Sequence, residues 1–313
     1  MNNILCVGFG GMGCRHTQSL LSHVPALNFY VLEPNDEIFH ANSVRIGATT
    51  GQLTHLKSLD EVTMPIDFAI IATSAEPRFE LMKSLLHKGI KNFLVEKVVF
   101  QSAEQFKIII SLLEDYKAVA YCNFVKRYFP NYMEIKAHLN AHVPLSMIVS
   151  GGDFGLACNA LHYVDLFAYL TGEDVYLSDS SIVENEAGNK RGHMYKEITG
   201  ELCWTTLSGS QLLISSDKTR VGGNEIVIVQ GQIKDVLNEE TLMHLTFSPN
   251  HSLGHQPFQL LYTSFLTKII YEDFLKGQIR LPTIQEAENA HLQFFAAINK
   301  AFGLGATDNC PIT

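Results

Sequence analysis

Hydrophobic residues in the first part of the chain fall into short continuous runs separated by stretches with helical spacing. Apolar runs of this length, bounded by turn signals, are typical of the buried strands of a parallel sheet. They occur at Asn3–Val7, Phe29–Leu32, Phe68–Ala72, Asn92–Val95 and Ala118–Cys122, and a further short strand is expected near Val44–Ala48. The pattern predicts an α/β fold with a doubly wound parallel sheet of six strands.

The stretches between these runs carry the signals of helices. Residues 12–24 have helix-compatible spacing, Pro77 can occupy the first turn of a helix that Gly89 ends, and another helix is expected over Ala103–Tyr116. Pro is favoured at the start of a helix and Gly just after its end. The piece Leu53–Leu59 is interpreted as a polar connection. We therefore assign residues 1–122 to one domain, and the glycine loop described below indicates that it binds a dinucleotide.

The pattern changes after residue 122, where short strand-like runs become frequent. Helices are expected around Tyr132–Leu139 and over Leu156–Leu170, and two more, Gln259–Leu275 and Ile284–Phe302, end the chain. The strand-like runs are Leu145–Ser150, Val175–Ser180, Ile198–Leu207, Gln211–Ser215, Ile226–Gln230 and Thr241–Phe247. We predict a second α/β domain over residues 123–313, with a largely antiparallel open sheet.

Composition narrows the classes of partner. The chain has 313 residues, of which 46% are hydrophobic and 18% charged, and its net charge is -9. No Lys/Arg-rich run is present to displace counterions from nucleic acid or to bind an anionic membrane. We therefore expect a small-molecule ligand, no nucleic acid and no membrane partner.

Cysteine usage and the N-terminus bear on location. The six cysteines form no Cys-x-x-Cys pair, no apolar run approaches eighteen residues, and the first strand begins without a secretory signal. These features predict a cytoplasmic protein. His251 and His255 have no acidic or Cys residue at metal-ligand spacing, so we interpret residues 248–255 as a mobile loop and predict no metal.

The segment Gly8-Phe9-Gly10-Gly11-Met12-Gly13 fits the Gly-x-Gly-x-x-Gly pattern at a junction of strand and helix. In a dinucleotide loop, Gly8 makes the turn, Gly10 admits the pyrophosphate, and Gly13 allows close packing of the helix. Gly11 and Met12 open that helix, whose free N–H groups can bind the phosphates. The alternative is a glycine-rich turn that binds no nucleotide.

Glu33 ends the second strand, twenty positions after Gly13. An acidic residue there accepts hydrogen bonds from the adenosine ribose, and its charge repels a 2′-phosphate. Residues 34–37 supply no Lys or Arg to offset that repulsion, although Arg45 could fold in. The predicted cofactor is NAD, with NADP less favoured. A solvated carboxylate at a strand end is the alternative interpretation of Glu33.

Ligands of doubly wound sheets bind beyond the carboxyl ends of the strands. Thr73 follows the strand Phe68–Ala72, and Glu96 and Lys97 follow Asn92–Val95. We predict that Thr73 and Glu96 contact the cofactor and that Lys97 transfers a proton, since a desolvated Lys can exchange one near neutral pH. A Lys97 paired only with Glu96, or solvated, is equally compatible with the sequence.

The predicted helix over residues 156–170 contains a second group of reactive residues. Cys158, His162 and Asp165 are spaced to share one face, and Asn159 lies one turn from His162. His162 is a candidate to exchange a proton with a substrate hydroxyl, with Asp165 as its orienter and Asn159 binding a sugar oxygen. The alternative is a His and an Asp that only satisfy each other.

Lys126 and Arg127 follow the last strand of the first domain. Arg127 is a candidate to bind the substrate. A solvated basic pair is the alternative.

The ordered series of motifs resembles the glucose-fructose oxidoreductase, inositol dehydrogenase and MocA (Gfo/Idh/MocA) family of NAD(P)-dependent enzymes. The matching pieces are Gly8–Gly13 with His16, Ile71–Thr73, Val95–Lys97 after Gly89, Arg127 with Pro130, Gly151–Gly172 with His162–Leu166, and Phe265–Ala301 with Pro282–Ala287. Together they span almost the whole chain.

The resemblance implies a Rossmann domain followed by an α/β domain whose open sheet forms a subunit interface, giving a homo-oligomer, a dimer or tetramer. It implies hydride transfer at a hydroxyl or carbonyl carbon of a carbohydrate. Lys97 matches the catalytic Lys of the family's Glu-Lys-Pro motif, and His162 the His of its Asp-x-x-x-His motif. Val98 stands in place of the Pro, and Cys158 in place of the Asp.

These inferences predict an NAD-dependent oxidoreductase acting on a sugar, cyclitol or sugar derivative. Two other functions fit parts of the pattern. A dinucleotide-binding sensor or assembly protein would explain Val98 and Cys158. An S-adenosylmethionine methyltransferase would use the glycine loop and Glu33, but it gives no reason for Lys97 or for the second domain.

Overall fold

The computed structural model describes residues 2–22, 27–49, 51–185, 194–220, 223–249 and 251–313. The chain forms two compact units. The first comprises residues 1–123 and 261–286, and the second residues 124–260 and 287–313. The predicted fold class is confirmed: a parallel sheet in the first unit and a mixed, mostly antiparallel sheet in the second.

The first unit contains a six-stranded parallel sheet in the order β3-β2-β1-β4-β5-β6. Its strands are β1 (Asn2–Val7), β2 (Leu27–Leu32), β3 (Leu53–Leu56), β4 (Phe68–Ile71), β5 (Asn92–Val95) and β6 (Val119–Cys122). All four residues of β4 are buried, as expected for a central strand with both faces covered. The strand order reverses at β1, between β2 and β4, so a ligand crevice is expected there.

Five helices pack in this unit. They are α1 (Gly11–Leu21), α2 (Asp36–Arg45), α3 (Ala75–His87), α4 (Ala103–Asp115) and α7 (Thr263–Leu275). Helix α7 packs against α1, and the rings of Tyr271 and Phe274 contact Phe68 of β4. The predicted boundaries placed the α7 segment in the second domain, whereas it groups with the first unit. Its apolar residues explain this, because they cover a sheet residue far away in sequence.

The expected strand near Val44–Ala48 is wrong. Residues 36–45 form α2, and the third strand is β3 within the stretch interpreted as a polar connection. The Asn35 side chain accepts hydrogen bonds from the N–H groups of Glu37 and Ile38, which starts the helix. Asx capping followed by acidic residues in the first turn favours a helix here although its apolar periodicity is weak.

The second unit contains an eight-stranded sheet in the order β14-β13-β12-β11-β7-β10-β9-β8. Its strands are β7 (Ser146–Gly151), β8 (Tyr176–Glu184), β9 (Ile198–Thr205), β10 (Gln211–Ser216), β11 (Glu225–Gln230), β12 (Ile233–Asn238), β13 (Met243–Ser248) and β14 (His251–Pro257). Only β7 and β10 pair in parallel among these described strands. Helices α5 (Pro130–His138), α6 (Leu156–Thr171) and α8 (Ile284–Ala301) complete the described α-helices.

Two of these strands were missed in the sequence. Strand β12 carries Lys234 and Asp235 near its start, which break the apolar pattern, and it is held by pairing with β11 and β13. The interpretation of residues 248–255 as a loop is wrong, because β14 pairs with β13 there. Cross-strand pairing overrides a weak local signal in both cases.

Candidate functional site

The glycine loop connects β1 to α1, and packing explains two of its glycines. Gly8 has a φ of +84°, and a Cβ there would lie 2.9 Å from Thr73 Cγ2. A Cβ at Gly13 would lie 2.0 Å from the Gly8 carbonyl oxygen. Neither position can hold a side chain without moving backbone. Gly8 and Gly13 therefore have the roles expected of the turn and of the helix contact.

Gly10 and Gly11, the other two glycines of the loop, face open space. A Cβ on Gly10 or Gly11 would meet no atom of the described residues within 4 Å. Gly10 is the N-cap of α1, and no side chain caps this helix end. Met12 follows in the first turn and is half-buried. The unused space and the helix N-terminus fit a pyrophosphate that approaches the backbone of Gly10.

Glu33 lies just past β2 and is buried against this loop. Its Oε2 accepts a hydrogen bond from the Phe9 N–H at 2.9 Å, and its Oε1 accepts one from the Asn35 N–H at 3.1 Å. The alternative of a solvated carboxylate is therefore wrong, since Glu33 is only 9% exposed. Two accepted bonds leave further lone pairs for a ribose hydroxyl. Glu33 thus also orders the glycine loop, a role not inferred from sequence.

A cavity of about 570 Å³ opens beyond the carboxyl ends of β1, β2 and β4. Four predicted cofactor residues, Gly8, Gly10, Glu33 and Thr73, line it. The other lining residues are Val7, Leu32, Pro34, Lys57, Ser58, Leu59, Ala72, Ser74, Pro77 and Leu81. A mostly apolar cavity with a few polar groups at the switch point of the sheet fits the adenosine part of a dinucleotide.

Lys57 on the cavity wall was missed in the sequence. It follows β3 directly, and its Nζ lies 2.7 Å from Asp36 Oδ2 at the start of α2. Because β3 was taken for a polar connection, no signal placed Lys57 at a strand end. Correct assignment of β3 would have identified it.

Glu96 follows β5 and is buried in a network of hydrogen bonds. Its Oε1 accepts bonds from His16 Nε2 at 3.0 Å and from Asn123 Nδ2 at 2.6 Å. Burial by itself raises the pKa of Glu96, but the His16 hydrogen bond and charge, the charge of Lys97 and the Asn123 bond lower it to about 2. Glu96 is therefore a carboxylate at neutral pH. His16 Nδ1 lies 2.8 Å from Thr267 Oγ1 of α7.

Lys97 is 6% exposed at the carboxyl end of the sheet. Its peptide bond to Val98 is cis, although Val98 is not a proline. The buried guanidinium of Arg78 donates hydrogen bonds to the carbonyl oxygens of Glu96 and Val98 on either side of Lys97, and to that of Thr73. Arg78 holds the backbone around Lys97 and was missed, because an Arg in an amphipathic helix gives no sequence signal of burial.

Substituting Glu96 by Gln tests this network through stability. A pKa lowered from 4.5 to about 2 adds stability above pH 4.5 that is lost as the pH falls toward 2. From pH 6 to pH 3 the wild type should lose ~2 kcal/mol of unfolding free energy more than Glu96→Gln, from ~1.4 kcal/mol per pKa unit. Urea denaturation at several pH values measures the difference. Equal losses in both proteins would contradict the ionised Glu96.

In the second unit, Arg127 and Asp165 form an ion pair. Arg127 Nε donates to Asp165 Oδ2 at 2.9 Å, and its Nη2 donates to Oδ1 at 2.7 Å. Lys126 is 8% exposed and pairs with Glu239. The alternative of a solvated basic pair is therefore wrong. This ion pair with two hydrogen bonds fixes both side chains. The substrate-binding roles of Arg127 and Asp165 remain predictions.

Helix α6 carries the remaining candidates. Asn159 Nδ2 donates to the carbonyl oxygens of Phe154 at 2.7 Å and Gly155 at 3.2 Å, so this amide group orders the loop before the helix. His162 is half-buried, and its ring lies 5.6 Å from that of Phe124 in an edge contact. The roles predicted for Asn159 and His162 stay predictions.

Cys158 lies in the first turn of α6, one turn before His162. Its Sγ donates a hydrogen bond to the Thr313 carbonyl oxygen at 3.3 Å. The nearby carboxylate of Glu197 accepts a bond from the Ala157 N–H at 2.6 Å at the start of the helix, and burial raises its pKa. Glu197 thus supplies a carboxyl group beside Cys158 from a different part of the chain, which sequence spacing could not reveal.

The structure brings the candidates together in three places. Gly8, Gly10, Glu33 and Thr73 meet on one cavity, Glu96 and Lys97 adjoin at the end of β5, and Arg127 meets Asp165. Among the described residues, no group of three or more His, Cys, Asp or Glu is placed to hold a metal ion. No described helix has the length and apolar character needed to cross a membrane.

Sequence comparison identifies the first part of the chain. Residues 2–124 match the Gfo/Idh/MocA profile, described as an oxidoreductase family with an NAD-binding Rossmann fold. A Salmonella typhimurium protein provisionally named as an oxidoreductase, YceM, is 22% identical over 189 residues. That match covers 57% of this chain and 57% of the relative. The resemblance inferred from the motifs is confirmed.

Solved structures share the fold over nearly the whole chain. An oxidoreductase from Agrobacterium radiobacter in complex with NAD+, L-tartaric acid and magnesium is 13% identical, with a TM-score of 0.77 and 96% of both chains covered. UDP-N-acetylglucosamine 3-dehydrogenase GnnA from Acidithiobacillus ferrooxidans is 15% identical, with a TM-score of 0.76 over 96% of this chain and 98% of that one.

A super-repressor mutant of Gal80p from Saccharomyces cerevisiae has the same fold. It is 14% identical, with a TM-score of 0.72 and 98% of both chains covered. At these sequence identities, the structural similarity establishes only the fold. The function has to be inferred from the residues of the site.

Proposed function

We propose that the chain transfers a hydride between NAD and a hydroxyl or carbonyl carbon of a sugar, cyclitol or sugar derivative. The match of residues 2–124 to the Gfo/Idh/MocA family of NAD-binding oxidoreductases supports this proposal. The observation that carries this proposal is the cavity at the switch point of the parallel sheet, with Gly10 and Glu33 on its wall. Lys97, buried at the end of β5, supplies the candidate proton-transfer group.

The residues of this chain fit the demands of that reaction. Bound NAD would supply the hydride acceptor, and Gly8, Gly10, Glu33 and Thr73 would hold it. Oxidation of a hydroxyl-bearing carbon also releases the hydroxyl proton, which needs a base. In the proposal, Lys97 takes this proton and His162 acts as the second proton-transfer group. Arg78 and Glu96 keep the Lys97 backbone and charge environment fixed.

The proposed cofactor preference is NAD over NADP by at least about tenfold. A 2′-phosphate about 4 Å from the Glu33 carboxylate would cost on the order of 1–4 kcal/mol, depending on the local dielectric. Fluorescence titration with NADH and NADPH measures the ratio, and equal affinities would refute it. Glu33→Gln should narrow the gap, and it is preferable to Glu33→Ala because one side-chain oxygen can still accept from Phe9 or Asn35.

The rival from another enzyme class is an S-adenosylmethionine methyltransferase. Both functions would use a glycine loop and an acidic end of β2, so binding must decide between them. Titration of the full chain with NADH and, separately, with S-adenosylmethionine separates the two. The oxidoreductase proposal requires tighter binding of NADH, and preferential binding of S-adenosylmethionine would end it.

A non-catalytic dinucleotide-binding sensor or assembly protein is the second candidate. Cys158 and Val98 favour it, since each departs from a catalytic motif of the family, and the shared fold with Gal80p is compatible with it. Tight NADH binding without turnover of any sugar, inositol or nucleotide sugar would favour the sensor.

We further propose a cytoplasmic homo-oligomer that associates through the open sheet face of the second unit. The cross-strand register aligns Ile148, Val227, Val236 and Leu245 in one row. Ile148 is 39% exposed, whereas its neighbours Met147 and Val149 are buried on the other face. None of the six cysteines, all of which lie in the described ranges, is in a disulfide, which suits a reducing compartment.

A further inference from the structure

The cavity beside the glycine loop has one basic side chain. Among its described lining residues, Lys57 is the only Lys or Arg, and Glu33 is the only carboxylate. The Lys57 side chain is 56% exposed, so its ammonium can reorient at low cost. A cation at this end of a dinucleotide cavity has an obvious anionic counterpart, a phosphate on the adenosine ribose.

The Lys57 ammonium forms an ion pair with a second carboxylate, that of Asp36. Asp36 Oδ2 lies 2.7 Å from Lys57 Nζ, and the Lys57 hydrogen bond lowers the pKa of Asp36. His55 adds a contact, with Nδ1 3.7 Å from Asp36 Oδ1 and Nε2 2.8 Å from the Glu33 carbonyl oxygen. The His55 ring stacks on Phe39 at 3.8 Å. Through these contacts, polar and charged side chains connect the end of β2, the end of β3 and the start of α2.

We propose that Lys57 is a latent site for a ribose 2′-phosphate and that Asp36 withholds it, so that Glu33 and Asp36 together set the cofactor preference. This inference rests on the proposed dinucleotide function. Glu33 repels the phosphate directly, while Asp36 neutralises the cation that would bind it. From the sequence, Glu33 is the only predicted determinant of cofactor selectivity, because no local pattern places Lys57 near the cavity.

The two carboxylates should therefore act in different ways. Glu33→Gln removes a repulsion but leaves Lys57 paired. Asp36→Asn frees Lys57 but leaves the Glu33 charge. Each single substitution should raise NADPH affinity a few-fold, and the double variant should raise it about thirtyfold or more. NADH affinity should change by less than about fivefold in Asp36→Asn, since NADH carries no 2′-phosphate. The two variants with Glu33→Gln also lose part of the carboxylate that accepts from the Phe9 and Asn35 N–H groups, so the NADPH affinity of each variant is compared with its own NADH affinity.

The deciding substitution is Lys57→Met in the double variant. It should abolish most of the gain in NADPH affinity while leaving NADH affinity near that of the double variant. Lys91→Met is the matched control for net charge. Lys91 is exposed and precedes β5, at the amino end of the sheet and away from the cavity at the carboxyl ends. Circular dichroism establishes that each variant is folded.

The measurement is the Kd of NADH and NADPH for the full chain, by fluorescence titration at low and at moderate salt. The proposal requires that the NADPH gain depends on Lys57, not on Lys91, and weakens as salt rises. If the gain in NADPH affinity survives Lys57→Met, the inference about Lys57 is wrong. Binding of NADH would still support the dinucleotide site in that case. If the wild type binds neither NADH nor NADPH, the proposed function falls and this inference falls with it.

Discussion

Substituting Lys97 by Met is expected to lower kcat on the order of a hundredfold or more while the Kd for NAD stays nearly unchanged. Lys97 is buried after β5 and is not among the described residues that line the cofactor cavity. Met preserves much of the side-chain volume but cannot take the hydroxyl proton. Steady-state kinetics with a substrate identified by screening, together with NADH titration, measures both quantities.

His162→Ala should have a similar effect on kcat, and Cys158→Ser provides the comparison on the same helix. Ser has a hydroxyl that can still donate to the Thr313 carbonyl oxygen, as the Cys158 thiol does, so Cys158→Ser should cost far less. If Cys158→Ser abolished turnover and Lys97→Met left it intact, the proposed assignment of both proton-transfer groups would be wrong. The fold would be unaffected, but a reaction centred on the Cys158 thiol would have to replace the proposed proton transfer by Lys97 and His162.

The second large effect is expected at Gly13. An added Cβ would lie 2.0 Å from the Gly8 carbonyl oxygen, and a contact between two backbone segments cannot be relieved by a side-chain rotation. Gly13→Ala should therefore lower the free energy of unfolding by about 3 kcal/mol or more, at the upper end for overpacked sites. Urea denaturation at neutral pH measures the loss. An unchanged midpoint would contradict the close packing of α1 on the loop.

Gly10→Ala is the matched comparison for Gly13. Its Cβ would meet no atom within 4 Å, and the φ of Gly10 is -66°, which Ala adopts readily. The stability should stay within about 0.5 kcal/mol of wild type. NADH affinity should fall at least about tenfold, because the methyl group would occupy the space proposed for the pyrophosphate. Undiminished NADH binding would place the phosphates elsewhere.

The sequence predicts the parallel sheet well because its strands are buried on both faces. Runs such as Phe68–Ile71 and Asn92–Val95 have few polar interruptions, so burial alone identifies them. Strand β3 and helix α2 have weaker patterns. They depend on the Asn35 cap and on pairing with β2, and pairing partners cannot be read from a local window.

The glycine loop and Glu33 were predictable because motif and spacing encode them. The contacts that modify their roles were not. Lys57 meets Asp36 across 21 positions, Arg127 meets Asp165 across 38, and His16 meets Glu96 across 80. Such pairs form only when the sheet and helices assemble. The sequence therefore indicates which chemical groups are candidates, while the partners of these groups follow only from the fold.

Arg78 illustrates the same limit for a charged residue. Its position in α3 predicts solvent exposure, yet it is 1% exposed and donates to the carbonyl oxygens beside Lys97. A buried guanidinium needs several acceptors, and here they are backbone groups that sequence patterns do not mark. The backbone conformation around Lys97, the proposed proton-transfer residue, thus depends on Arg78, which lies outside the Glu-Lys-Pro motif.

The most direct test of the central claim is a turnover screen followed by absorbance at 340 nm. Wild type and Lys97→Met are incubated with NAD and a panel of sugars, inositols and nucleotide sugars, and in the reverse direction with NADH and the corresponding ketones. Wild type should form or consume NADH with at least one of these compounds, and Lys97→Met, which still binds NADH, should do so at least about a hundredfold more slowly. Tight NADH binding with no turnover by wild type across the panel would contradict the proposed oxidoreductase function.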